Sequence, residues 1–119
     1  MELYLRQLKY NFNARHHLHA LLPNEAFVFC ICTDKEIWNI SCSKDSFSYE
    51  QSSNLENIDS FISTTKSTAI RLLNGDTRLS QLKKQNEIVY EGSFRHFLLL
   101  ESVIWLCREY DELDSAASF

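Results

Sequence analysis

The chain has 119 residues, 45% hydrophobic and 24% charged, with two glycines and one proline. That balance suits one soluble globular domain over 1–119 with a core of its own, and argues against a disordered or loop-rich chain. The net charge is −4 and the densest basic cluster is a pair, Lys83-Lys84, so the basic stripe that a phosphate backbone needs is missing and nucleic acid is not an expected partner.

Residues 2–22 space Leu3, Leu8, Phe12, Leu18, Leu21 and Leu22 among polar positions, which predicts an N-terminal helix ended by Pro23-Asn24. Within it, His16 and His19 are helical neighbours, but no Asp, Glu or Cys lies at matching spacing to complete a metal site. "FVFCICT" (27–33) is a continuous apolar run, the pattern of a strand buried on both faces. After the Asp34-Lys35 turn, "EIWNISCS" (36–43) sets Trp38, Ile40 and Cys42 on one side of a second strand. After Lys44-Asp45, "SFSYEQ" (46–51) alternates cleanly as a third. The three form a meander. Cys30 and Cys32 share one strand face, and that spacing is neither a zinc knuckle nor a redox pair. Together with Cys42 and Cys107 they read as reduced, buried thiols of a cytoplasmic protein.

"SSNLEN" reads as a loop and "IDSFIST" (58–64) as a weaker fourth strand. Thr65 is a natural N-cap for a helix carrying Ala69, Ile70, Leu72 and Leu73, which stops at Asn74-Gly75. Asp76 or Thr77 is the expected cap of a short helix with Leu79 and Leu82 on one side, ending at Gln85-Asn86. "EIVYE" (87–91) is the last strand. Gly92-Ser93 turns it into a final helix running from Phe94 to about Leu113, with a frayed tail over 114–119. Both glycines therefore fall at reversals flanking the last strand, and Asn86, which tolerates positive φ, marks a third.

The final helix is apolar nearly all round at its centre, so it meets protein or ligand on more than one side. "FLLLESVIWLC" (97–107) is too short to span a bilayer and contains Glu101, so no stable membrane insertion is expected. Glu101 is expected on a solvent stripe. No strand-to-helix serine elbow and no phosphate-cradling glycine loop is present, and Ser93 is explained by capping, so the chain does not read as an enzyme.

In order and spacing, "ID" at 58–59, "LLNG" at 72–75 and "QNEIVYEG" at 85–92 resemble the sterol carrier protein family, whose second half reads as an "AD" strand, "LLxG", a short helix and "QGxLxIxG". Asn86 stands where the family has its first glycine, and Lys83 and Lys84 stand where members often have apolar residues. The pattern covers about residues 26–108. The resemblance implies an α+β fold, a five-stranded, mostly antiparallel sheet covered by helices. It also implies non-catalytic binding or transfer of a fatty acyl, sterol-like or isoprenoid lipid in a tunnel between sheet and C-terminal helix, with no cofactor and no metal. The expected lining is Leu79, Leu82, Phe94, Phe97, Leu98, Val103, Ile104 and Trp105. The alternative for the same apolar helix is a protein–protein interface, a homodimer included.

Overall fold

The helix expected over 2–22 is divided in two. In the computed structural model, which describes residues 1–51 and 57–108 but not the side chains of His16 and His17, α1 (Glu2–Ala14) is followed by a 3₁₀ turn over His16–Leu21. The break is at Arg15, whose φ of −110° and ψ of 77° lie outside the helical region. α1 buries Leu5, Leu8, Asn11 and Phe12, one face at helical spacing. The break folds the chain back, stacking the His19 ring on Phe12 with centroids 4.7 Å apart and burying Leu18 in the core.

The meander forms as its alternation predicts. β1 (Phe27–Cys32), β2 (Ile37–Cys42) and β3 (Phe47–Gln51) pair antiparallel in sequence order. β4 (Ser60–Ser63) joins the free edge of β1 in parallel, and β5 (Val89–Gly92) closes antiparallel on β4. The sheet order is β3-β2-β1-β4-β5, so β1 is central. Register puts Phe29 beside Ile40 and Ile40 beside Tyr49; on the other flank it puts Ile31 beside Ile62 and Ile62 beside Tyr90. These side chains share the face that the helices cover. Phe12 of α1 meets Phe47 at 5.4 Å between ring centroids, and Tyr90 meets Phe97 of the last helix at 4.9 Å. On the opposite face of β1, Cys30 is buried while Val28 and Cys32 are half-buried, which accounts for the unbroken apolar run of a central strand.

Thr65 caps α2 (Lys66–Leu73) as expected, its hydroxyl accepting from the Thr68 N–H. Gly75 follows at φ 77° and Asn86 at φ 59°, and all three expected reversals use positive φ. The third, Gly92, has φ 145° and lies opposite Ser60, where a Cβ would meet the Ser60 and Tyr90 hydroxyls at 2.8 Å. The short helix α3 (Leu79–Lys84) departs from expectation at its start. Neither Asp76 nor Thr77 caps it: the N-cap is Arg78, whose side chain makes no cap bond. The Thr77 hydroxyl accepts instead from Arg71, which also pairs with Glu87 at 3.1 Å.

Ser93 caps α4 (Phe94–Leu106), accepting from the His96 N–H at 3.0 Å. The helix ends earlier than expected, with Cys107 as C-cap, and the remainder of the expected span from 109, with the 114–119 tail, lies outside the described residues. Arg15 explains the early stop. Its guanidinium donates to the Leu106 and Arg108 carbonyls at 2.5 and 2.7 Å, and Asn11 donates to the Cys107 carbonyl at 2.8 Å. Carbonyls left over at a helix end are thus taken by α1 and the residue after it.

Candidate functional site

α4 presents apolar side chains in two directions. Phe97, Leu100, Val103 and Ile104 point into the core. Phe94 and Leu98 do not: they are 70% and 48% exposed. An open groove of about 590 Å³ lies on their side of the helix. Phe94, Arg95, Leu98, Leu99 and Ser102 form one wall and Leu21, Leu22 and Pro23 the other. Its size falls in the range of small-molecule clefts, and its lining is apolar with few polar groups.

The second wall exists because the 3₁₀ turn cannot continue. Leu22 is extended (φ −100°, ψ 150°) and Pro23 has no N–H with which to prolong the turn. The Pro23 carbonyl accepts from the Lys44 N–H at 2.9 Å, which ties this wall to the β2–β3 turn. The first wall is held by the Ser93 cap and by His96, whose ring stacks on Phe27 with centroids 5.7 Å apart.

The structure separates the eight expected lining residues. Phe94 and Leu98 reach the groove. Leu79, Leu82, Phe97, Val103 and Ile104 are buried among the core side chains. Trp105 is half-buried, with the Arg78 and Arg108 guanidinium carbons 4.5 and 4.0 Å from its ring centroid. Sequence reasoning missed the opposite wall. The apolar run Leu21-Leu22-Pro23 was the available signal, since two leucines stand directly before a helix breaker, but the break at Arg15 is what aims them at α4.

Two polar side chains beside α4 take definite places. Glu101 is half-buried rather than on a free solvent stripe, and its carboxylate accepts from the Ser80 N–H at 2.7 Å. The Lys83 ammonium lies 5.0 Å from the Phe97 ring centroid and 5.8 Å from that of Tyr90, a cation resting on aromatic faces. Among the described residues no group of three His, Cys, Asp or Glu could hold a metal ion. His19 is engaged elsewhere, its Nε2 lying 3.1 Å from the Phe12 carbonyl.

Burial pushes the Cys30 thiol up to about 12, with the Cys32 sulfur 3.4 Å away adding to the shift. Burial likewise raises Cys107 to about 12, against an opposing pull from Arg15, and it raises Cys42 further still. Thiols held protonated in this way are poor nucleophiles and poor metal ligands at neutral pH.

No protein-family profile and no curated protein matches the sequence. Solved structures do match. A stereoselective inverting sec-alkylsulfatase, Pisa1 from Pseudomonas sp., aligns with TM-score 0.62 at 12% identity over 78% of this chain, which spans only 14% of that enzyme. A UbiJ-SCP2 ubiquinone synthesis protein aligns with TM-score 0.62 at 13% identity, covering 87% of this chain and 84% of that one. A palmitated SCP2L2 from Aedes aegypti aligns with TM-score 0.59 at 14% identity, covering 87% and 93%.

Proposed function

We propose that this chain, which has the sterol carrier protein fold, is a non-catalytic carrier of a hydrophobic small molecule, a fatty acyl, sterol-like or isoprenoid lipid. The observation that carries the reading is the open apolar groove between the Leu21–Pro23 segment and α4, in which Phe94 and Leu98 stand exposed to water. An apolar guest there removes that surface from water, with about 25 cal/mol gained per Å² covered. The palmitated state of the Aedes aegypti neighbour supports the same ligand class. A non-catalytic role is supported by polar groups already committed to structure: the Ser93 hydroxyl to its cap and the Glu101 carboxylate to Ser80.

The four cysteines, all free thiols, fit a reducing compartment, and we place the protein in the cytoplasm. No helix among the described residues is long and apolar enough to cross a membrane. The rival reading, a homodimer built on α4, draws on the same exposed Phe94 and Leu98.

Native mass spectrometry of the purified protein, followed by extraction and identification of whatever lipid accompanies it, tests the reading. A lipid adduct on a monomer is expected. Ser102→Trp places an indole in the groove from an exposed helical position and should lower lipid occupancy while leaving stability within about 0.5 kcal/mol. A lipid-free dimer, or occupancy indifferent to Ser102→Trp, overturns it.

A further inference from the structure

We infer that the sheet carries a second site on the face turned away from the helices, one that takes a small hydroxylated cation of the amino-sugar class. It stands independently of the groove beside α4. A hollow of about 300 Å³ lies there, and its polar side chains are unspent. Among the described residues, the Ser41 and Ser48 hydroxyls, the Glu50 carboxylate and the Asn57 amide make no hydrogen bond or ion pair. Elsewhere the chain bonds such groups to itself. Ser43 meets Ser46 at 2.9 Å, Ser60 meets Tyr90 at 2.9 Å, and Thr64 donates to the Glu87 carbonyl at 2.8 Å.

Register and one turn build the hollow. Trp38, Ile40 and Cys42 are buried toward the helices, so Asn39 and Ser41 point the other way. Pairing sets Glu50 beside Asn39 and Ser48 beside Ser41. Val28 lies opposite Ser41 on β1 and gives an apolar floor. Asn57 and Ile58 raise a wall over what would otherwise be an open sheet face. Asn57 turns at φ 60°, and the chain just after it is pinned to β1 twice. The Val28 N–H donates to the Asp59 carboxylate at 2.8 Å, and the Asp59 N–H donates to the Val28 carbonyl at 2.8 Å.

The lining selects by charge. Glu50 is the one ionised side chain among the described lining residues, and no strand among them contains Lys or Arg. An anion is therefore disfavoured, whereas an ammonium group meets a carboxylate with both oxygens unspent. The adjoining turn carries Lys44 and Asp45, whose charges offset each other. One free carboxylate is too few for a hard metal ion, which takes about six oxygens or more. Hydroxyls and an amide both donate and accept, as the hydroxyls of a sugar do. Val28 and Ile58 suit the C–H face of a sugar ring. The volume, at the small end of ligand clefts, suits a single ring.

Titration of the full chain, labelled with nitrogen-15, against glucosamine at mildly acidic pH tests this through two-dimensional amide spectra. Glucosamine at about 1–10 mM should shift the Ser41, Ser48, Glu50 and Asn57 amides and leave Phe94 and Leu98 at the lipid groove unmoved. Glucose, which lacks the ammonium, and ethanolamine, which lacks the ring, should each bind about tenfold more weakly. Glu50→Gln, at an exposed edge-strand position, should weaken glucosamine about tenfold and leave glucose unchanged. Ser48→Ala should weaken both sugars, with circular dichroism confirming that each variant is folded. No shift with glucosamine up to about 50 mM overturns the inference. So does ethanolamine binding as tightly as glucosamine, or a glucosamine affinity that Glu50→Gln leaves unmoved.

Discussion

The Glu101 carboxylate accepts a 2.7 Å hydrogen bond from the backbone N–H of Ser80, so α4 provides the N-terminal acceptor that α3 lacks in its own sequence. A helix start leaves several N–H groups without partners, and an anionic acceptor is favourable there. Glu101→Ala should lower stability by about 1–2 kcal/mol. Glu101→Gln keeps an acceptor without the charge and should recover roughly half of that. Guanidinium unfolding reads the total, and amide exchange at Ser80 reads the local effect. An unchanged midpoint with unchanged Ser80 protection in Glu101→Ala would show that the bond contributes nothing.

The reversal after α2 depends on the absence of a side chain. Gly75 has φ 77°, and a Cβ there would overlap the Arg108 side chain. Gly75→Ala should cost about 2 kcal/mol or more, from backbone strain and from displacement of Arg108. Asn86, at φ 59°, tests the same region without a clash partner. Asn86→Gly should stay within about 0.5 kcal/mol of the parent and Asn86→Ala should cost about 1 kcal/mol. Thermal melts of the three variants suffice, and an Ala cost at 75 no larger than at 86 would remove the role given to Arg108.

The buried thiols set a pH limit. Cys30 and Cys107 are raised to about 12 and Cys42 is raised further, from an ordinary value of 9.0, with burial as the leading cause. The unfolded chain therefore gives up thiol protons at a pH where the folded chain keeps them. Their contribution is fully present below pH 9.0 and is lost progressively as pH rises toward about 12. Denaturation midpoints measured across that range should fall, and Cys42→Ala or Cys107→Ala should flatten the fall. Iodoacetamide at about pH 8 should label Cys32, the half-buried thiol, first. Equal labelling rates at all four positions in the folded protein would contradict the burial.

Trp105 reports on a cationic contact. With guanidinium carbons 4.5 and 4.0 Å from its ring centroid, its environment is charged, whereas Trp38 is buried in the core. Arg78→Ala should cost under about 1 kcal/mol and shift the Trp105 emission to the red as the ring gains water. Trp38→Phe isolates the signal. Identical emission spectra with and without Arg78 would show that the guanidinium leaves the ring's environment unaltered.

Much of the architecture was legible because its signals are local. Alternation in 46–51 fixed the faces of β3, and Thr65 and Ser93 cap their helices with hydroxyls one turn from the N–H groups they accept. Gly75 and Asn86 marked positive φ because few other residues tolerate it. The misses are nonlocal. Nothing in 2–22 breaks a helix by itself; Arg15 leaves the helix and binds carbonyls of residues 106 and 108, distant in sequence. A shorter separation, still beyond any local signal, hid the cap from Glu101 to Ser80. Little of the candidate site was legible: of the residues lining the groove only Phe94 and Leu98 were expected, because a periodicity that is apolar all round does not say which flank of α4 stays open. The facing wall of Leu21, Leu22 and Pro23 depends on the unforeseen break.

Asn11 holds the Cys107 carbonyl across 96 positions of sequence, and Arg15 holds its neighbours. During synthesis the first helix therefore emerges from the ribosome long before its partners have been translated. The β1–β2–β3 ribbon can assemble early from neighbouring contacts, but the latch between α1 and the end of α4 closes only when residue 107 has left the exit tunnel. Until then the apolar face of the first helix is covered only in part, by contacts such as Phe12 on Phe47 of β3, so a ribosome stalled inside α4 displays an unlatched nascent chain more prone to clumping.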